Sequence, residues 1–506
     1  MPGSLTHLNK RVAAEQRQVK VAVPALIGAA ITLGWAFVAF ALADSLYGPM
    51  AIVASIATVA ASVAVYLWKP AEGREPVRVV GLMVLVQTFL SAGMSVIREV
   101  DRATAHSRPS PEAYTFATVS SVVFTFCFLA GLWIGAPGPS KKLPDPLTSS
   151  SGPTQSNILI LGVITSAVTM VTSLGAGRSL GVLPMILFNT SLTLPLFTAH
   201  YLMKGGSRLP LYLSLFVQVV LAIYTSMLGL AILSIRDILL TYVALRKRVP
   251  WAVVAISVAA FLILNPAKAL FRQQVSDSGP ITFEQALVVW QDSLTDTWST
   301  QTIERTEARD GALRTTAERL DYNWLSAHVY SVVPDRIPYQ LGRTYEDVPL
   351  LLVPRILYPD KPTSQGRTRS RWLIELGVQS SSSTDTVAIS LPASAEAYWN
   401  FGWLGVFVVG TTLGLSVGAL FRVRIADPLG RVAWTVLVAT TCTFFLDMVV
   451  WLVPQIVIAL ICVPLVTFYC GLGRTKLKRS MGGNASQQDA HPAGQPISSE
   501  DKEAVT

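Results

Sequence analysis

Long apolar blocks recur along this chain, each about the length needed to cross a bilayer as a helix, roughly 20 residues. They read as spans at 21–43, 48–68, 78–97, 114–136, 157–177, 181–202, 209–229, 231–247, 250–266, 396–421, 429–452 and 455–472. A soluble domain has nowhere to bury so many such blocks. Composition agrees: charged residues make up 14% of the 506, against about 25% in soluble proteins, and the mean hydropathy is +0.48. The expected fold class is therefore an all-α polytopic membrane protein with about 12 transmembrane helices.

Charge sets the expected orientation. Lys10, Arg11, Arg17 and Lys20 place the N-terminus, 1–20, in the cytoplasm. Counting from there, the basic loops fall on the same side: Lys69, Arg74 and Arg78; Lys141 and Lys142; Lys204 and Arg208; Arg246, Lys247 and Arg248; Arg422, Arg424 and Arg431. This agreement requires 209–247 to cross twice and not run as one long helix. The segment 98–113 departs from the pattern, with Arg98, Arg102 and Arg108 outside, but Glu99, Asp101 and Glu112 offset them. The net charge of +9 thus belongs to topology, and no long basic stripe points to nucleic acid.

The chain then divides into spans one to nine (21–266), an extracytoplasmic loop (267–395), spans ten to twelve (396–472) and a polar, disordered cytoplasmic tail (473–506). The loop is far longer than ordinary helix connections of about 2–8 residues. Within it Leu313, Ala317, Leu320, Trp324, His328 and Val332 recur at helical spacing, which predicts an amphipathic helix over 303–333 ended by Pro334 and Pro338. A second compact piece is expected from Tyr345 to Leu357. The four cysteines, Cys127, Cys442, Cys462 and Cys470, lie in apolar stretches and read as small buried hydrophobes.

Candidate chemistry concentrates in and beside the loop. Over 336–372 stand seven cations, Arg336, Arg343, Arg355, Lys361, Arg367, Arg369 and Arg371, against the three acids Glu346, Asp347 and Asp360. Prolines on either side of Arg355 and Lys361 stiffen their backbone. Guanidinium forks bind phosphate bidentately and stay charged, which suits a diphosphate headgroup; anchoring to anionic lipid is the alternative use. Glu396 opens the next apolar block among Tyr398, Trp399 and Trp403, an interfacial aromatic belt. Arg236 and Asp237 interrupt an apolar run, as an ion pair or as a site. Lys268 and Arg272 stand just beyond the ninth span, and Asp447 is placed to orient one of these arginines. His328 is the loop's histidine, read either as a rim residue or as a base. No P-loop, dinucleotide fingerprint, zinc-binding His-Glu-x-x-His or Asp-x-Asp metal pair is present, so neither an ATP-driven pump nor a metal-dependent nucleotide-sugar transferase is expected.

Gly342-Arg343-Thr344-Tyr345, Pro354-Arg355 with Pro359 and Lys361-Pro362, and Glu396-Ala397-Tyr398-Trp399-Asn400-Phe401-Gly402, set in this many-helix layout, resemble the bacterial O-antigen polymerase (Wzy-type) and oligosaccharide repeat-unit polymerase family. The likeness covers the C-terminal half. Arg355 and Gly366 also fit an Arg-to-Gly spacing found twice in some members, and the second outer copy is missing here. The resemblance implies a glycosyltransferase of the bacterial plasma membrane, with no cofactor and no metal. It would join polyprenyl-diphosphate-linked oligosaccharides at the outer face, beside a flippase and a chain-length regulator. On that reading Arg355, Arg236 and Arg272 are the diphosphate clamps, with Arg319, Arg343, Lys361, Arg367 and Tyr398 as further substrate contacts. Glu396 or His328 is the acceptor-side base. The rival readings are an O-antigen ligase-like transferase and a transporter of lipid-linked glycan.

Overall fold

A computed structural model describes residues 79–84 less 82, 109–136, 155–173, 190–204, 207–224, 228–246, 250–278, 282–299, 323–352, 367–378, 391–423, 425, 428–440, 442 and 449. The spans expected at 21–43, 48–68 and 455–472, the loop residues 303–322 and the tail lie outside the described residues. Among those described, every regular element is helical. The helices are α1 (Pro111–Gly135), α2 (Gln155–Ser173), α3 (Thr190–Lys204), α4 (Leu209–Tyr224), α5 (Leu228–Arg246), α6 (Trp251–Ser278), α7 (Phe283–Trp298), α8 (Asn323–Val332), α9 (Val348–Leu352), α10 (Arg367–Glu375), α11 (Ala393–Leu420) and α12 (Pro428–Thr440). A 3-10 turn, Arg343–Tyr345, lies between α8 and α9.

Among the described residues, three helices are long and apolar enough to cross a membrane, over Glu112–Gly135, Trp251–Val275 and Ala393–Leu420. The stretch 209–247 forms two helices, as the charge count requires. Two boundaries differ from expectation. The ninth helix does not end at Pro266; it runs on to Ser278 with the proline inside. A proline removes one backbone donor and pushes the preceding turn open, which an apolar helix survives when neighbours meet the freed groups. Moreover, α7 stands where a loop was read. Its start is a capping box, with Thr282 Oγ1 accepting from Gln285 N (3.3 Å) and Gln285 Oε1 accepting from Thr282 N (2.8 Å).

The tightest pairing is α1 with α11, and glycine makes it possible. Gly410 lies against Phe124, Gly414 against Phe128 and Leu132, and Gly418 against Leu132 and Ala136, so the two helices run side by side in the same direction. From the other side Gly131 and Gly135 meet Thr411 and Leu415. A Cβ added at Gly414 would sit 2.0 Å from the Phe128 carbonyl oxygen. Small residues at four-residue spacing let backbones approach closely where no hydrophobic drive between helices exists. At the C-terminal ends of the two helices Arg422 Nε donates to Gly135 O (2.8 Å).

Candidate functional site

The site grows from a break in α11. Phe401 (φ −138°, ψ 16°) and Gly402 (φ 62°, ψ −151°) leave the helical region, so the helix is two arms, 393–400 and 403–420. Gly402 occupies a backbone region open essentially to glycine alone. The bend is sharp enough to bring Gly405 against the carbonyl of Ala397. Breaking a helix frees carbonyls at the end of its first arm, and here residues 340–342 satisfy them. Gln340 N donates to Trp399 O and Leu341 N to Asn400 O, both at 3.0 Å, and Gly342 N donates to Asn400 Oδ1 (2.8 Å). The donors line up because the chain turns through left-handed conformations at Leu341 (φ 50°) and Gly342 (φ 93°).

Beneath this seam lies a buried polar network. Glu396 is 0% exposed. Its Oε1 accepts from Thr344 Oγ1 (2.8 Å) and its Oε2 from Val449 N (2.6 Å). Asn400 Nδ2 donates to Thr344 Oγ1 (2.7 Å) and to Glu396 O (2.9 Å). One carboxylate thus ties Thr344, the short arm and residue 449 together. Tyr345 lies against it: burial pushes the phenol pKa well above its ordinary value, and the Glu396 charge raises it further. Aromatic rings pack alongside, with Tyr330 stacked on Tyr398 at 4.0 Å and Tyr339 and Trp403 each 6.1 Å from Tyr398.

Above the seam the cations gather on one indole. Trp372, fully buried, meets Trp399 edge-on at 5.8 Å. Arg371 lies over the Trp372 ring at 4.8 Å and Arg343 at 5.7 Å. Arg343 Nη1 also donates to Gln340 Oε1 (3.3 Å), and Gln340 Nε2 to Glu375 Oε1 (2.9 Å). Arg371 pairs with Glu346 at 2.8 Å in the open, where such a pair holds position weakly. Both guanidinium groups stay accessible.

His328 joins the same corner. Helix α8 rests on the N-terminal end of α1 through Ala327 against Ala113 and Ala117, and Asn323 Nδ2 donates to Thr118 Oγ1 (2.8 Å). Its half-buried His328 stacks on Trp324 at 6.1 Å, and Nε2 lies 2.9 Å from Leu376 O, just past the end of α10. A carbonyl only accepts, so Nε2 carries the proton and Nδ1 is the basic nitrogen when the ring is neutral.

The structure therefore brings Arg343, Glu396, His328 and Tyr398 together, and adds Arg371, Thr344, Asn400 and Gln340. Arg367 begins α10, one turn before Arg371. Arg236 and Arg272 stand apart from this corner. Arg236 forms the ion pair with buried Asp237 (2.8 Å) on α5, which packs chiefly on α3, α4 and α12. Arg272 is exposed on the outer part of α6, which packs chiefly on α7. Arg319, Arg355, Lys361 and Asp447 lie outside the described residues. Thr344 and Asn400 stand inside the quoted motifs, but nothing in the sequence singled either out.

A domain family of unknown function (DUF8712) matches residues 182–422, just under half of the chain and inclusive of α7, the outer segment and the broken helix. No curated protein and no solved structure matches the chain.

Proposed function

We propose that this chain is a multi-pass glycosyltransferase of the bacterial plasma membrane, with both termini in the cytoplasm, about twelve spans and its main extracytoplasmic segment between α6 and α11. It polymerises oligosaccharide repeat units carried on polyprenyl diphosphate, with a flippase supplying the units and a chain-length regulator as neighbour. The observation that carries this reading is the pair Arg343 and Arg371 on Trp372, two accessible guanidinium groups at the seam of a broken helix.

The chemistry follows from what each group can do. An acceptor hydroxyl attacks the anomeric carbon of the donor sugar. The new C–O bond forms as the bond to the diphosphate breaks, and the leaving diphosphate takes the electron pair. Fixed guanidinium groups stabilise the charge that develops there, an effect worth about 10²–10³ in rate per donor at comparable sites. The acceptor proton goes to His328 Nδ1. Glu396, with both oxygens engaged inside the protein, positions Thr344 and the seam. The second reading, an O-antigen ligase-like transferase with a different acceptor, draws on the same fixed histidine.

The test is turnover of a polyprenyl-diphosphate repeat unit by the reconstituted full-length chain. Arg343→Ala and Arg371→Ala each shorten or abolish the glycan ladder while the protein stays folded, and Lys in either place is also damaging because a point charge does not imitate a fork. Near-normal ladders from both variants would sink the proposal. Arg355→Ala, beyond the described residues, is the companion variant. Transfer of one intact glycan to a non-identical acceptor, lost in His328→Ala, would turn the assignment to the ligase-like reading.

A further inference from the structure

Helix α7 lies alongside α6 and runs back along it. Phe271 and Trp290 stack at 4.7 Å, and further along Trp298 Nε1 donates to Ile263 O (3.2 Å). A third helix gives the level. Trp290 Nε1 donates to Ile223 O (2.9 Å) and Phe283 lies 6.4 Å from Tyr224, so the top of the hairpin is level with the end of α4. From Phe271 to Ile263 is eight residues, a descent of about 12 Å at 1.5 Å per residue. Trp298 therefore sits about halfway down α4, beside the middle of the apolar run Trp251–Val275.

The surface of α7 divides into three strips. Ala286, Trp290, Ser293 and Thr297 are buried against the neighbouring helices. Phe283, Leu287, Leu294 and Trp298 follow at spacings of four, seven and four, a stripe that is exposed except for half-buried Leu294. Glu284, Gln291, Asp292 and Thr295 are exposed on the remaining side, a polar strip with one apolar member, exposed Val288. The apolar stripe continues onto α6, since Trp298 touches the backbone of Ile263, whose own side chain is uncovered with those of Leu262 and Ile256.

We infer that α6 and α7 form a hairpin inserted in the bilayer, with α7 a half-span that returns from the outer face to about mid-depth. This rests on the membrane reading of α6. Hydrocarbon covers the Phe283–Trp298 stripe, and water reaches the Glu284–Asp292 side, because a carboxylate left in hydrocarbon is costly. The helix ends at Trp298, which reaches only Ile263 in the middle of the Trp251–Val275 run, so it stops at about mid-depth. The long outer segment thus begins inside the membrane and not at its surface.

Spin labels in the reconstituted full chain test this, with Cys127, Cys442, Cys462 and Cys470 replaced by Ala. Labels follow Ile263→Cys, Leu287→Cys, Trp298→Cys and Thr295→Cys, and collisions with oxygen and with a water-soluble nickel chelate are compared. Ile263, Leu287 and Trp298 should favour oxygen several-fold, with Ile263 and Trp298 at matching depth, while Thr295 favours nickel. Leu287 and Trp298 favouring nickel while Ile263 favours oxygen would overturn the hairpin and leave the span intact. Ile263 favouring nickel would remove the span and the hairpin together. If Trp298→Cys fails to fold, Leu287→Cys decides alone, since it makes no hydrogen bond to α6.

Discussion

Helices α6 and α11 are both 28 residues long, their most apolar stretches are closely matched in hydropathy, and each carries a helix-breaking residue inside it, Pro266 in one and Gly402 in the other. Their surroundings differ. In the most apolar part of α11, 44% of the residues are buried within the protein; in α6 the share is 18%. Glycine accounts for the contrast. Helix α11 has Gly405, Gly410, Gly414 and Gly418 beyond the break and uses them to reach the backbones of its own first arm and of α1, whereas α6 has none. Hydropathy reports that a helix prefers oil to water. It does not say whether the oil is lipid or protein, and the spacing of small residues does.

The comparison is broken most directly at Gly414. A leucine there drives its Cβ into the Phe128 carbonyl, and the expected loss is about 3 kcal/mol or more, read as failure to elute as a monodisperse peak or as a large fall in Tm in detergent. A retained Tm would mean that α1 and α11 are not in backbone contact. Next comes Glu396→Ala, which strips the acceptor from Val449 N and from the Thr344 hydroxyl. At about 1–3 kcal/mol for each buried group left unpaired, the expected cost is several degrees of Tm, with Thr344→Val losing less. Gly402→Ala costs about 1–3 kcal/mol because its backbone region excludes a Cβ; a hydrogen-exchange map should place the loosening at 338–345 and 396–403. The smallest effect sharpens the other side of the contrast. Ile256→Ala on α6 should change Tm by less than the equivalent of about 0.5 kcal/mol, since that side chain is 69% exposed; a large drop would show that protein covers α6 after all.

Much of the helical layout was legible because apolar runs and flanking basic residues carry it. The helices matching the expected spans at 114–136, 209–229, 231–247 and 396–421 start or end within a few residues of them, and Pro334 does follow the end of α8. Helix α7 escaped because Glu284, Asp292 and Asp296 break every hydropathy window across it, although Thr282 and Gln285 signalled its start. Pro266 was taken as a terminus when its helix tolerates it. The candidate site was legible as residues but not as a geometry. Glu396 reads as an interfacial carboxylate in one dimension; its partners Thr344 and Val449 lie 52 and 53 positions away, and only folding brings them in. Arg371 was visible as one cation among seven, while its shared seat with Arg343 on Trp372 has no linear trace.

Because α1 and the long arm of α11 point the same way, their peptide dipoles reinforce each other where an antiparallel pair would cancel. Each helix places about half a negative charge at its C-terminal end, and the two C-terminal ends lie together. Arg422 stands at that place, with its Nε on the Gly135 carbonyl. It acts there as a counter-ion shared by two helix ends, and its removal would leave adjacent like poles facing each other across the closest backbone contact in the described fold.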